Sequence, residues 1–352
     1  MLHRRLGRTN LQISCIAFGG LPSTFIPPKE AIEVITAAID EGMNYFDLDE
    51  GPGQFYDKAY LDSHNKIGKV LKTRRNEVYL GVKTMRKKKN EVLEDIKKSH
   101  ELLVKGTSRE IIDIFQLAFV DYDHDIKAIT SPDGAIAALE EGKKQGLIKH
   151  TLVAGHNRDI LIDAIKTNAF DVVEFPFNII EREVIDELIP IANKMEIGTI
   201  IMKPLGGGQF GEVAAAQIKW ILEKPISCII PGIKTVEEVK INAAFGKTPQ
   251  KLTDAERKQL EAFSNRMAKI YCHRCGYCLP CSQGIKIFGL IDILHAGVLS
   301  YEKKKAAYLQ AVQKGLLVPA SKCIECGECV PKCPYELPIP ELMKQLVEKF
   351  GI

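Results

Sequence analysis

The 352-residue sequence predicts an α/β protein, in which a (β/α)8 TIM barrel is followed by a smaller, mainly helical C-terminal domain. Two observations lead to this prediction. Before residue 270, short runs rich in β-branched and aromatic residues alternate with longer amphipathic segments. After residue 270 this alternation stops, and eight of the ten cysteines lie between Cys272 and Cys333. We therefore expect a barrel over residues 1–268 and a second domain over residues 269–352.

Eight runs in the first part have the character of β-strands. Several are continuously apolar, which is typical of strands that are covered on both faces. In chain order the predicted strands are Ser14–Phe18, Asn44–Asp47, Val78–Val82, Ile111–Leu117, Lys149–Ala154, Asp171–Phe175, Gly198–Met202 and Ser227–Pro231.

Amphipathic segments lie between these strands and predict the outer helices. Eight strand–helix units in about 250 residues is the number that a closed barrel needs. An open doubly wound sheet is the alternative, but no G-x-G-x-x-G fingerprint follows an early strand. The predicted helices include Glu30–Glu41, Glu91–Val104, Asp133–Lys144, Arg182–Met195 and Val213–Leu222.

Composition excludes several classes of protein. Hydrophobic residues make up 45% and charged residues 26% of the chain, which is ordinary for a globular protein and argues against a fibrous or disordered one. The net charge of +3 gives no reason to expect nucleic acid as a partner. No apolar run reaches the roughly 18 residues of a membrane span, and residues 1–10 lack the apolar stretch of a secretion signal. We expect a cytoplasmic protein without membrane insertion.

The residues that follow the strands are the candidates for an active site, because barrel active sites lie at the carboxyl ends of the strands. After the eighth strand, the amide N–H groups of a helix that starts near Val236 would suit a phosphate, with Lys234 and Thr235 beside them. A plain strand-to-helix turn is the alternative. The strand-end residues are Asp47, Lys83, Leu117-Ala118, Ala154-Gly155-His156, Glu174, Lys203-Pro204-Leu205 and Pro231-Gly232-Ile233-Lys234.

Eight short motifs occur in the order and spacing of the aldo-keto reductase family, which the chain resembles over most of residues 1–268. The resemblance implies that a hydride from NADP(H) reduces a carbonyl group and that a tyrosine acts as the general acid. The motifs are Arg5-Leu6-Gly7-Arg8-Thr9, Phe18-Gly19-Gly20, Gly42-Met43-Asn44-Tyr45-Phe46-Asp47, Ile67-Gly68-Lys69-Val70-Leu71, Val82-Lys83-Thr84, Ile112-Asp113-Ile114-Phe115-Gln116-Leu117, Met202-Lys203-Pro204-Leu205 and Ile230-Pro231-Gly232.

The same resemblance implies individual site residues. Asp47 and Lys83 match the family's pair that lowers the pKa of the tyrosine. Tyr60 matches the tyrosine itself, and Tyr56 is the alternative because the segment after Asp47 is longer than usual. The implied cofactor-binding residues are Asn178, Lys203, Pro204, Leu205, Gly232, Lys234, Thr235 and Asn242.

Four family residues are replaced in this chain, one of them the glutamate that often precedes the asparagine after the eighth strand, where this chain has Ile241. The histidine after the fourth strand corresponds to Ala118, and the two residues that hold the nicotinamide carboxamide correspond to Ala154 and Glu174. Each lost hydrogen bond weakens the orientation of a nicotinamide by about 1 kcal/mol, which puts ordinary carbonyl reduction in question. Three other residues are candidates to replace the missing histidine, namely His64, His124 and His156, although a lone histidine is more often structural.

Two groups of four cysteines follow residue 270. The second group ends in the C-x₂-C-x₂-C-x₃-C-P run of bacterial ferredoxins, which binds [4Fe–4S] clusters, whereas the first has two residues before its fourth cysteine. The helical pattern over Ile285–Gly315 adds to a resemblance to dicluster ferredoxin domains. Structural zinc and disulfides are the alternatives. The two groups are Cys272, Cys275, Cys278, Cys281 and Cys323, Cys326, Cys329, Cys333.

In ferredoxins with two clusters, the fourth cysteine of each run binds the other cluster. The resemblance therefore implies that Cys333 joins the first three cysteines of the first group, and that Cys281 joins the first three of the second. The shorter spacing before Cys281 leaves this crossed pairing less certain than the clusters themselves.

Together the two parts predict an iron–sulfur oxidoreductase with a small-molecule substrate. Clusters transfer single electrons whereas aldo-keto reductases transfer hydrides, so a flavin, a partner protein or a stepwise reduction has to connect the two. We expect an electron-transfer protein or a redox-complex subunit as partner. The alternative is a barrel that has lost catalysis and serves as an electron-transfer or docking subunit.

Overall fold

The structure is a computed structural model that describes residues 1–48, 63–295 and 300–351. Residue contacts divide the chain into two units. The first contains residues 1–178, 182–204 and 217–252, and the second contains residues 179–181, 205–216 and 253–352. No helix in the described ranges combines the length and the apolar character needed to cross a membrane.

Eight parallel strands in the first unit form one sheet in chain order. The sheet closes because Ala17 N donates to Ile229 O at 2.9 Å and Gly19 N donates to Pro231 O at 3.1 Å. A side chain at Gly19 would place its Cβ 2.5 Å from the Pro231 oxygen, so this closure requires glycine. The predicted (β/α)8 fold is thus confirmed. The strands are β3 Phe18–Gly19, β4 Tyr45–Asp47, β5 Tyr79–Thr84, β6 Ile112–Leu117, β7 Ile148–Ala154, β8 Val172–Pro176, β9 Gly198–Met202 and β10 Cys228–Ile229.

An N-terminal hairpin, which the sequence pattern did not predict, precedes the barrel. Its strands β1 His3–Arg5 and β2 Gln12–Ser14 pair antiparallel. The strand predicted over Ser14–Phe18 is right only in part. Ser14 ends the hairpin, and the chain joins the barrel from Cys15 onward, where Ile229 N donates to Cys15 O at 3.0 Å. Leu6, Leu11 and Ile13 are buried in one cluster with barrel residues such as Ile114 and Leu152. The apolar residues before Phe18 therefore fill the interior of the barrel from the hairpin.

Helices between the strands bury one apolar stripe each. In α2 the buried residues lie at the spacing of one helical face, and they are Ala31, Val34, Ile35, Ala38 and Ile39. The helix predicted over Arg182–Met195 is shorter than expected, since α8 begins at Leu188 so that Pro190 lies in the first turn, where no N–H is needed. The helices up to residue 252 are α1 Leu21–Thr24, α2 Pro28–Asp40, α3 Ser63–Arg74, α4 Lys89–Leu103, α5 Asp123–Thr130, α6 Ala135–Lys144, α7 Arg158–Lys166, α8 Leu188–Lys194, α9 Ala214–Leu222 and α10 Val236–Lys247.

The second unit is mainly helical and has its own apolar core. Leu290 and Ile291 pack with Leu342, Leu346 and Phe350 in this core. The cysteine groups lie in the loops before α12 and between α13 and α14, so these loops are anchored on the core that the helices form. The helices are α11 Asp254–Met267, α12 Ile287–His295, α13 Tyr301–Gln313 and α14 Ile339–Phe350.

Candidate functional site

Asp47 and Lys83 form a buried ion pair at the carboxyl ends of β4 and β5. Lys83 Nζ lies 2.7 Å from Asp47 Oδ2, and the two side chains are 15% and 6% exposed. The other carboxylate oxygen, Oδ1, is buried and makes no hydrogen bond to any residue that the structure describes. Burial raises the pKa of Asp47, and the charge and hydrogen bond of Lys83 oppose this shift. Tyr60 and its alternative Tyr56 fall within residues 49–62, outside the described residues.

Glu174 is a second buried carboxyl group, on β8. Gln116 Nε2 on β6 donates to Glu174 Oε2 at 3.2 Å. Burial raises the pKa of Glu174 to about 8, and the nearby charge of Asp47 adds to the shift, while Lys83 and Lys203 oppose it. Glu174 is therefore largely protonated at neutral pH. The sequence identified it only as a missing carboxamide partner, because a pKa depends on the surroundings of a group.

Ala118 and Ala154 are both buried, with exposures of 4% and 3%. Their methyl groups offer no hydrogen bond to a bound nicotinamide. Neither alanine can therefore replace the polar partner that the family has at its position, and both lie in a part of the barrel that is closed to water.

A chain of three polar side chains links the ends of β6, β7 and β9. Lys203 Nζ lies 2.7 Å from His156 Nε2, and His156 Nδ1 lies 3.3 Å from Asp121 Oδ2. Because an ammonium group only donates, Nε2 accepts from Lys203 and the ring proton resides on Nδ1, which donates to Asp121. Asp121 Oδ1 also accepts from the N–H groups of His156 and Asn157. Asp121 was not among the predicted site residues, since only the fold brings it near His156.

The other two histidines have different surroundings. His64 is fully buried in α3, where burial lowers its pKa to about 4, so that it is neutral. The His124 side chain is 78% exposed and lies near Asp125 on its own helix. Of the three, His156 is the one joined to a second predicted site residue.

The predicted phosphate site lies at the start of α10. Thr235 caps this helix, with its Oγ1 accepting from Glu238 N at 3.1 Å. The carboxylate of Glu238 turns back and accepts from Lys234 N at 2.7 Å. A phosphate at these amides would have to displace a group of its own charge. The described residues therefore fit the phosphate of NADP(H) poorly. The buried Oδ1 of Asn242 has no hydrogen-bond partner among the described residues, and it could accept a hydrogen bond from an amino group of a ligand.

The remaining predicted cofactor residues occupy separate places. Asn178 is buried, and its Nδ2 donates to the carbonyl oxygen of Lys203 at 3.4 Å. Pro204 is buried, Leu205 belongs to the second unit, and Gly232 pairs with Gly19 at the closure of the barrel. Asn178 thus positions the backbone that carries Lys203.

The eight cysteines of the second unit line two cavities. One, which is partly open to solvent, also has apolar walls that include Ile287, Ile291 and Leu337. The other, also partly open, is walled in part by Ile285, Ile339 and Met343. The first cavity has Cys272, Cys275, Cys278 and Cys333 in its lining, and the second has Cys281, Cys323, Cys326 and Cys329, with Cys278 shared between the two.

Stacked rings connect two of the cysteine loops. The rings of His273, next to Cys272, and Tyr335, two residues after Cys333, are stacked with centroids 3.4 Å apart. All ten cysteines are free thiols. Within the described ranges, no three His, Cys, Asp or Glu side chains converge closely enough for a single metal ion. Four thiols around a cavity with apolar walls suit an iron–sulfur cluster better than one zinc ion.

Comparison with known proteins identifies both parts of the chain. Residues 15–213 match the aldo/keto reductase family, and residues 271–338 match the 4Fe-4S dicluster domain. A Glycine max protein named "Probable aldo-keto reductase 1" is 22% identical over 220 residues, which are 59% of this chain and 60% of that protein. The chain thus spans about three fifths of this curated relative.

Solved structures show the same fold. The holo form of aldo-keto reductase AKR11C1 from Bacillus halodurans superposes with a TM-score of 0.61 at 19% identity, covering 74% of this chain and 96% of that one. Its apo form gives a TM-score of 0.58 at 20% identity, with 74% and 95% covered.

Proposed function

Because this chain belongs to the aldo/keto reductase family and carries a 4Fe-4S dicluster domain, we propose that it couples a redox site at the barrel mouth to electron transfer through two [4Fe–4S] clusters. The observation that carries this proposal is that eight thiols line two cavities, four around one and five around the other, with Cys278 in both linings. We propose residues 1–268 as the barrel domain and residues 269–352 as the cluster-binding domain.

The thiols around each cavity are the proposed ligands. Cys272, Cys275, Cys278 and Cys333 would hold one cluster, and Cys281, Cys323, Cys326 and Cys329 would hold the other. When bound, the clusters supply one-electron transfer. Apolar side chains lie beside the thiols, of which Cys278 is buried and Cys326 is exposed.

At the barrel mouth, the proposed catalytic residues are Asp47, Lys83 and Tyr60. The buried ion pair holds Lys83 in place, and its positive charge would favour the deprotonated form of a tyrosine placed beside it. Reduction of a carbonyl to an alcohol needs two protons in addition to two electrons. Glu174, which holds a proton at neutral pH, is a group from which one proton can be taken.

The organic cofactor of this site is either NADP(H) or a flavin. Ala118 and Ala154 offer no polar side-chain group to a nicotinamide, and Glu174 replaces one of the residues that hold its carboxamide. Glu238 occupies an amide that would bind the phosphate. A flavin, which accepts electrons singly or in pairs, would connect clusters to a two-electron substrate. The partners we propose are a small-molecule substrate and an electron-transfer protein or redox-complex subunit.

The test is anaerobic reconstitution with iron and sulfide, followed by EPR spectroscopy after dithionite and by titration with NADPH, NADH and FMN. The proposal expects cubane signals and micromolar binding of one of the three compounds, which Lys83→Ala or Lys234→Ala abolishes. A colourless protein that holds stoichiometric zinc would refute it.

A second candidate function is that of an electron-transfer or docking subunit whose barrel has lost catalysis. The apolar Ala118 and Ala154 favour it, because they remove two polar contacts from the mouth. Cubane signals without binding of NADPH, NADH or FMN would support this second function.

A further inference from the structure

The two loops that carry the first three cysteines of each group have the same backbone conformation. Arg274 and Glu325 occupy the same place, directly before the second cysteine, and both have left-handed φ angles of 60° and 54°. Gly276 and Gly327 follow with φ angles of 77° and 74°. Each glycine carbonyl accepts a 3.0 Å hydrogen bond from the N–H three residues later. The loops are therefore equivalent position by position.

The side chains at these equivalent positions differ in charge. The first loop has Arg274 and Tyr277 where the second has Glu325 and Glu328. Their formal charges are +1 for the first loop and −2 for the second. Since the backbones match, the side chains account for the electrostatic difference between the loops.

The positive charge of the first loop is buried. The Arg274 side chain is 8% exposed, and its Nη1 atom lies 3.4 Å from the carbonyl oxygen of Cys272. The Glu325 side chain is 52% exposed and pairs with Lys344, which is also exposed. Water screens an exposed pair strongly and a buried charge weakly. Arg274 therefore acts on its loop more strongly than Glu325 acts on the other.

Two carboxylates and the burial of the first group of cysteines oppose the effect of the Arg274 charge on this loop. Asp292 lies 2.7 Å from Arg274 but is 38% exposed, so solvent screens it in part. Glu181 lies 3.7 Å from Arg274 and accepts a hydrogen bond from Tyr271, which spreads its charge. The cysteines of the first group are buried or half-buried, whereas Cys326 of the second group is exposed. Burial disfavours the extra negative charge of a reduced cluster. Arg274 is the group of this network that lies within the cysteine loop itself.

We propose that Arg274 raises the reduction potential of the cluster bound in the Cys272–Cys333 cavity. This inference rests on the proposed function, because it needs that cluster to be bound. A buried positive charge stabilises the reduced cluster, which carries one more negative charge than the oxidised one. The charge of Arg274 does not depend on pH in the accessible range.

The test is a redox titration of the reconstituted full-length protein, monitored by EPR. In Arg274→Gln, the ratio of reduced to oxidised first cluster at a fixed potential should fall at least about tenfold, which corresponds to 59 mV for one electron. Asp292→Asn should move the same cluster in the opposite direction, and Arg274→Lys should remain close to the wild type. The matched control Glu325→Gln should leave the first cluster unchanged.

Each outcome decides between the two proposals. Unchanged potentials in both Arg274→Gln and Asp292→Asn, with both clusters present, would overturn this inference alone. Absence of cubane signals from the wild-type protein would overturn the proposed function as well. If Arg274→Gln fails to fold, the upward shift in Asp292→Asn supports the inference and its absence refutes it.

Discussion

Lys203 donates a 2.7 Å hydrogen bond from Nζ to Nε2 of His156, which fixes the ring proton of His156 on Nδ1 toward Asp121. We expect ¹⁵N NMR of histidine-labelled protein to show His156 as the Nδ1–H tautomer at neutral pH. Lys203→Met should populate the Nε2–H tautomer, because the ring then loses its donor. The exposed His124 serves as an internal reference. An Nε2–H tautomer in the wild type would contradict the hydrogen-bond chain.

Glu174 should make stability depend on pH. Its pKa rises from 4.5 to about 8 on folding, so the folded protein keeps a proton that the unfolded chain has lost between these values. The free energy of unfolding should therefore fall as pH rises through this range, by up to about 1.4 kcal/mol per pH unit. Urea unfolding from pH 5 to 8 measures this slope, which Glu174→Gln should reduce. The control is Glu196→Gln at an exposed position, which should leave the slope of the free energy of unfolding against pH unchanged.

Glu238 should weaken NADPH binding. The Glu238→Gln substitution removes a negative charge from the start of α10 and weakens the competition between this side chain and a phosphate for the Lys234 N–H. We expect NADPH to bind about fivefold more tightly, which corresponds to about 1 kcal/mol. Isothermal titration calorimetry measures the change. Glu237→Gln, in the same helical turn, is the matched control, and equal affinities in both variants would argue against a phosphate at this helix.

The fourth cysteine of each group should bind the cluster in the cavity that it lines, rather than the cluster held by the other three cysteines of its own group. Cys333→Ser should disturb the same EPR signal as Cys272→Ser, and Cys281→Ser the same signal as Cys323→Ser. The reason is that Cys333 lines the cavity of the first group and Cys281 that of the second. If Cys333→Ser instead resembled Cys323→Ser, the crossed assignment would be refuted.

Asp113 should be important for stability. Its Oδ2 accepts from Arg75 at 2.8 Å, Leu80 N at 3.0 Å and Arg109 at 3.2 Å, and the Arg75 side chain is fully buried. Asp113→Ala leaves this arginine without its buried counter-charge and should lower the free energy of unfolding by about 3–5 kcal/mol. Chemical denaturation measures the loss. Asp163→Ala, on an exposed helix face, should change stability by less than about 0.5 kcal/mol.

Some features of the fold did not follow from local patterns. Gly19, Asp47 and Lys83 could be recognised because their motifs have fixed spacing along the chain. The hairpin of residues 3–14 was missed because its two strands have only three residues each, too few to show a strand pattern. The late start of α8 follows from Pro190, a local signal that the apolar periodicity of the segment concealed.

By itself, the sequence determined the class of this protein. The alternation of strands and helices and the spacing of eight cysteines identify the barrel and the dicluster domain, since both signals are local and periodic. Only the tertiary structure decided which groups interact across the chain. The link from Asp121 through His156 to Lys203, the raised pKa of Glu174 and the burial of Arg274 arise from contacts between residues far apart in sequence, where burial sets the strength of each charge.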